Sequence, residues 1–166
     1  MKKQLLLLSL IIFGIISCSD DTGDTLDLTV RTNDLSKMYG TGEKKWKITA
    51  YYSNYNLQEL DETFNDCVQD DVYVFSKDTE DVEVSLGNIT CGNVSDVKNE
   101  FAGGRYTHTS DNTLLLSFAR SYEKEETGVS ISRIMIIKCI HLSENKMIFI
   151  HGDVGDYIGI VFERVD

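Results

Sequence analysis

Few side chains in this sequence have the types and spacing that chemistry needs. Cysteines stand at 18, 67, 91 and 139, histidines at 108, 141 and 151, and the acids Asp66, Asp70 and Asp71 lie close to Asp78, Glu80 and Asp81. Cys139 and His141, two residues apart on one strand face, are the nearest approach to an activated nucleophile, which needs a flanking base and partial exposure. The run Ile134-Met135-Ile136-Ile137-Lys138-Cys139-Ile140 argues instead that Cys139 is a small buried hydrophobe. With a turn at 143–145, His151 faces the neighbourhood of Ile137, about 13 Å along the strand from His141 and too far for both to hold one metal ion. The acids lack the Asp-x-Asp-x-Asp-Gly spacing of a calcium loop and read as solvated turns. Neither a Gly-x-Ser-x-Gly elbow nor a Cys-x-x-Cys pair occurs. No catalytic residue, metal ligand or cofactor is therefore assigned, and a non-enzymatic protein is expected.

These residues sit in a chain of 166, with 27 acidic and 16 basic side chains, a net charge of -11, 42% hydrophobic and 10% aromatic residues, 12 Gly and no Pro. That composition suits one folded domain with a short appendage. The acidic balance leaves no cationic surplus to neutralise phosphates, which excludes nucleic acid as a partner.

The appendage is N-terminal. Lys2 and Lys3 precede an apolar stretch from Leu5 to Ile16 that is too short to span a bilayer, so residues 1–17 read as a secretory signal. The residues Ile15-Ile16-Ser17-Cys18 resemble the lipobox of bacterial lipoproteins, which implies that Cys18 is lipidated and becomes the new N-terminus. Ser19-Asp20-Asp21 resembles the surface-export signal of lipoproteins in some Gram-negative bacteria, and Ser19 avoids the usual inner-membrane retention signal. The resemblance implies a protein lipid-anchored in the outer membrane, at the cell surface or otherwise facing the periplasm. Without Lys2 and Lys3 the chain has 14 basic against 27 acidic residues, so the lipid rather than the protein face would hold it to the membrane.

Residues 18–43 are expected to form a lipidated cysteine and flexible tether, rich in Asp, Thr, Gly, Ser and Asn, with Leu26, Leu28, Val30 and Leu35 scattered along it. Asp24-Thr25-Leu26 resembles the short O-glycosylation motif of some gut anaerobes. Asn88-Ile89-Thr90 and Asn93-Val94-Ser95 match N-glycosylation acceptors, which a bacterial lipoprotein normally leaves unused.

From Lys44 to the C-terminus, strand-like runs recur with turn residues between them: 44–52, 71–77, 81–87, 104–109, 113–121, 129–142, 146–151 and 157–165. The short connections predict an antiparallel meander. If Thr79 centres the second hairpin, facing residues have numbers summing to 158, which pairs Val74 with Val84 and Val72 with Leu86. Cys67 and Cys91 also sum to 158 and would face each other. In an oxidising compartment a Cys67–Cys91 disulfide is expected, closing about 25 residues and stabilising by about 3 kcal/mol. Leu57, Leu60 and Phe64 have the spacing of a short amphipathic helix, either a lid or a plug at one end of a barrel.

Trp46-Lys47-Ile48, the segment from Asp66-Cys67 to Phe75, and Gly87-Asn88-Ile89-Thr90-Cys91 resemble the lipocalin-like domain of bacterial lipoproteins. Lys44 stands where the narrower lipocalin signature has Gly, so the resemblance is to the looser family. It spans 44–166 and implies an all-β fold, an eight-stranded antiparallel up-and-down barrel with one short helix. It also implies that Arg164 lies across Trp46 and closes the barrel with a cation–π contact. A small apolar or amphipathic ligand inside the barrel is the expected partner, with Tyr73 and Phe75 as candidate lining if their face points inward. In the register above, that face also carries Glu83 and Ser85 and equally suits an outer wall. The alternative is a filled barrel docking an envelope protein through its exterior, favoured by apolar groups on both faces of Ile134–Ile137 and Met147–Ile150.

Overall fold

The computed structural model describes residues 29–62, 66–91, 97–128, 130–153 and 155–166, without the side chains of Asp66 and Ile131. The expected signal, Cys18, Thr25, Leu26, Leu28, Phe64 and the Asn93 acceptor lie outside the described residues.

The strands are β1 (Glu43–Asn54), β2 (Glu59–Leu60), β3 (Val72–Ser76), β4 (Asp81–Ser85), β5 (Val97–His108), β6 (Leu114–Lys124), β7 (Ser130–Leu142), β8 (Lys146–His151) and β9 (Ile158–Val165), with successive side chains pointing to opposite faces. β1 and β3 to β9 pair antiparallel in chain order, and β9 returns to β1, so the sheet closes into an eight-stranded up-and-down barrel. β2 is a two-residue strand attached to the far end of β1 through Tyr52 and Leu60. Inside, Trp46, Phe75, Leu114, Phe149 and Phe162 are fully buried, and the rings of Tyr73 and Phe149 meet Phe162 edge-on at 5.3 and 5.6 Å.

Three sequence expectations change. The β3–β4 register pairs Tyr73 with Val84 and Phe75 with Val82, one residue from the symmetric alignment about Thr79. A one-residue slip exchanges the faces, so Tyr73, Phe75 and Val82 point inward and are buried, while Val72 and Val74 lie on the other side. The disulfide nevertheless forms, because Cys67 and Cys91 lie outside both strands, with Cα atoms 5.2 Å apart. The expected helix at Leu57 and Leu60 is instead a turn leading into β2, with these leucines 67% and 57% exposed. The short helices lie elsewhere, α1 at Ser36–Tyr39 and α2 at Asp66–Gln69.

The tether also ends earlier than position 43. Thr29 bridges to Thr113, a 3-10 turn covers Thr32–Leu35, and Val30, Leu35 and Met38 join the core as a plug at one end of the barrel. The plug is held by backbone bonds: Val30 N–H donates to the Asn112 carbonyl at 2.6 Å and Lys77 N–H to that of Gly42 at 2.8 Å. His108 Nε2–H donates to the Val30 carbonyl at 2.6 Å. Burying a backbone segment requires partners for its polar groups, and strand ends and turns supply them.

Candidate functional site

The plugged end and the opposite end differ in content. At the plugged end Trp46 donates its indole N–H to the Met38 carbonyl at 2.9 Å and is fully buried. Arg164 stands directly opposite Trp46 across β1 and β9, but its side chain is 43% exposed and its guanidinium is 3.5 Å from Asp166. No cation–π contact joins Arg164 to Trp46 among the described residues, because the plug covers the ring. Phe75 belongs to this end, packed against Tyr106 with centroids 6.2 Å apart.

Toward the other end the barrel opens into a cavity of about 550 Å³. Tyr73, Val84, Phe118 and Met135 wall it from the strands, while Val68 of α2 and the Cys67–Cys91 disulfide close one side. Of the two aromatic candidates, Tyr73 lines the cavity and Phe75 does not. Burial pushes the Tyr73 phenol upward in pKa, so it is neutral at any physiological pH. Gly104 faces Phe118 in the β5–β6 register, and a Cβ there would lie 2.9 Å from the Ser117 carbonyl oxygen and 3.2 Å from Phe118 Cβ. Its absence lets β5 and the Phe118 side chain approach closely.

A charged network supports this end. Arg120 of β6 donates from Nη1 to the buried Asp71 and from Nε to Glu100 of β5, and its side chain is only 12% exposed. Asp71 Oδ1 accepts the Gly87 N–H at 2.9 Å, and Asp70 Oδ2 accepts those of Asn88 and Ile89 at 2.6 and 2.9 Å. The paired acids therefore clamp the loop after β4, and a Cβ on Gly87 would collide with the Asp70 carboxyl at 2.0 Å. Cys91 N–H donates to Glu100 at 3.3 Å, which ties the disulfide to the same network. Burial pushes the Asp71 carboxyl upward against the opposing pull of the Gly87 N–H and Arg120. The bonds to Glu100 and Asp71 outweigh burial at Arg120 and keep its guanidinium charged.

Asp70 and Asp71 thus form a structural clamp rather than solvated turns, whereas Asp81 is an exposed acid at the start of β4, paired with Arg105 at 2.7 Å. Among the described residues no group of acids, cysteines or histidines is arranged to hold a metal. The Cys139–His141 pairing fails because a bulge between them turns His141 outward while Cys139 stays fully buried. The Cys139 thiol donates to the His141 carbonyl at 3.2 Å, and burial pushes its pKa up to about 12. His151 Nδ1–H donates to the Ile136 carbonyl at 2.9 Å.

Sequence reasoning misses the Arg120 network, although strand parity carries the signal: Leu114, Leu116, Phe118 and Arg120 share one face of β6. Chemically the site offers an apolar chamber with guanidinium groups on one side. Comparison with protein-family models and with curated proteins found no match for this chain.

Proposed function

We propose that this chain is a lipid-anchored outer-membrane lipoprotein whose lipocalin-like barrel binds a small apolar or amphipathic ligand, without catalysis. The cavity of about 550 Å³ beneath Tyr73, Phe118 and Met135 carries this reading, since its size and apolar walls suit a small-molecule site. The anchor rests on the lipobox resemblance at Cys18 and places the barrel at the cell surface or, failing export, facing the periplasm.

Titration with the neutral apolar dye N-phenyl-1-naphthylamine tests the binding reading. The chain from Ser19 onward, which contains every described residue, should bind the dye with saturation, and Val84→Trp should abolish binding by filling the chamber. Saturable binding unaffected by Val84→Trp would place the dye outside the cavity and count against the reading. The anchor has its own test, in which Cys18→Ala should end labelling by a fatty-acid probe and persistent labelling would refute it.

A second reading, an envelope protein docking on the outer wall, is favoured by Phe101 of β5 and Ile134 and Ile136 of β7, which are 64%, 70% and 55% exposed on the two strands that flank β6.

A further inference from the structure

Arg120 and Arg133 stand directly opposite each other across β6 and β7, and both line the cavity. Like charges facing each other across an antiparallel pair repel. Arg120 is offset by Asp71 and Glu100, yet its Nη2 is buried without a hydrogen-bond partner. The Arg133 side chain is exposed at the cavity and has neither an ion pair nor a hydrogen bond among the described residues. That is notable in a chain with 27 acidic residues. Two guanidiniums thus flank one side of a chamber whose other walls, Tyr73, Val84, Phe118 and Met135, are predominantly apolar.

We infer that the cavity takes an amphiphile with a single anionic head group, carboxylate or phosphate, seated against Arg133 on the side where Arg120 lies, with the apolar body on Tyr73, Phe118 and Met135. This rests on the reading of the cavity as a small-molecule site and names its ligand class. The planar guanidinium fork of Arg133 matches carboxylate and phosphate oxygens, and beside apolar walls the attraction is screened less than in bulk water. An anion there pairs the Arg133 guanidinium, which a neutral ligand leaves without a partner, whereas Arg120 already has Asp71 and Glu100. From Ser19 onward 14 basic side chains face 27 acidic ones, a net charge of -13 that repels free anions at long range, so burial of an apolar body has to bring the head group in. Arg133 thereby serves as the specificity residue, and the apolar walls supply most of the affinity.

The test is displacement of N-phenyl-1-naphthylamine from the chain beginning at Ser19 by dodecanoate, dodecyl phosphate and methyl dodecanoate, each below its aggregation limit. At least one of the two anions should displace the dye at a concentration about tenfold below that of the neutral ester, the gain expected of one charge-assisted contact. The stronger anion identifies the head group as carboxylate or phosphate. Arg133→Gln should reduce the anion-over-ester ratio to below about threefold, and Arg133→Lys should retain part of it as a point charge without the fork. Arg133 is exposed, so a melting curve of each variant serves to confirm an intact barrel. Equal displacement by ester and anions, or an unchanged ratio in Arg133→Gln, would overturn the head-group inference while leaving the cavity reading standing. Failure of the dye and all three amphiphiles to bind would overturn both.

Discussion

The indole N–H of Trp46 is donated to the carbonyl oxygen of Met38, 2.9 Å away, and both residues are fully buried at the plugged end of the barrel. The bond joins the first strand of the closed sheet to the segment that precedes it. Trp46 thus ties the plug to β1 and does not line the cavity. Trp46→Ala should cost about 3–5 kcal/mol in urea unfolding through cavity formation, and Trp46→Phe about 1 kcal/mol more than its volume change, for the lost hydrogen bond. Dye affinity should move less than stability. An affinity loss with intact stability would make Trp46 a ligand contact.

Cys67 and Cys91 join α2 to the loop after β4 and line the cavity. Reduction, or Cys67→Ser, should lower stability by about 3 kcal/mol in the chain-entropy account and weaken dye binding, because one cavity wall is released. A melting curve insensitive to reductant would show that the bridge contributes nothing to the fold.

Arg120 is the sole ion-pair partner of buried Asp71 among the described residues. Arg120→Ala should therefore destabilise by about 3–5 kcal/mol, leaving a buried carboxylate uncompensated. Adding Asp71→Asn should recover part of that loss, since a neutral amide costs less to bury without its partner. Chemical denaturation of the two single variants and the double variant measures the coupling, and simple additivity would mean the pair is energetically independent.

The two ends of the barrel should respond to acid with opposite sign. At the plugged end, the hydrogen bond to Lys37 holds the Asp34 carboxyl below its ordinary 3.8, and the bond to Lys44 holds Glu144 below 4.5. The Thr109 hydroxyl does the same for Asp111. A depressed carboxyl contributes stability above its unfolded pKa and loses it as pH falls through its folded value. Asp71, pushed upward by burial, contributes most in acid and loses that contribution as pH rises through its folded value. Below about pH 4 the plug should loosen first. Trp46 is the only tryptophan, so its emission should shift to the red before a bound cavity dye is released. Release of the dye ahead of the Trp46 shift would reverse the assignment.

The barrel was legible because its strands alternate with period two and its hairpins carry turn residues, as in β8 and β9, where the expected limits fall within a residue of those observed. The β3–β4 register was not, because Val, Tyr and Phe occupy both parities between 72 and 75 and leave neither face polar. Symmetry about Thr79 then selected the wrong alternative, and the cysteines agreed with it only because their loops bring them together independently of strand register. The plug looks like a tether in sequence because its apolar residues, Val30, Leu35 and Met38, follow no single period. Their burial depends on the barrel end and on Trp46, long-range partners that local pattern does not encode. The cavity is likewise a property of closure, set by where Phe118, Tyr73 and Met135 stop filling the interior.

Native mass spectrometry of the chain from Ser19, released from the periplasm without detergent, tests whether the cavity holds a ligand. The protein should carry an adduct on the order of a few hundred daltons, lost on denaturation, as a cavity of this size would hold. A clean apo mass from gently purified protein that also fails to take up the dye would contradict the binding reading, and would leave the exposed wall around Phe101, Ile134 and Ile136 as the functional surface.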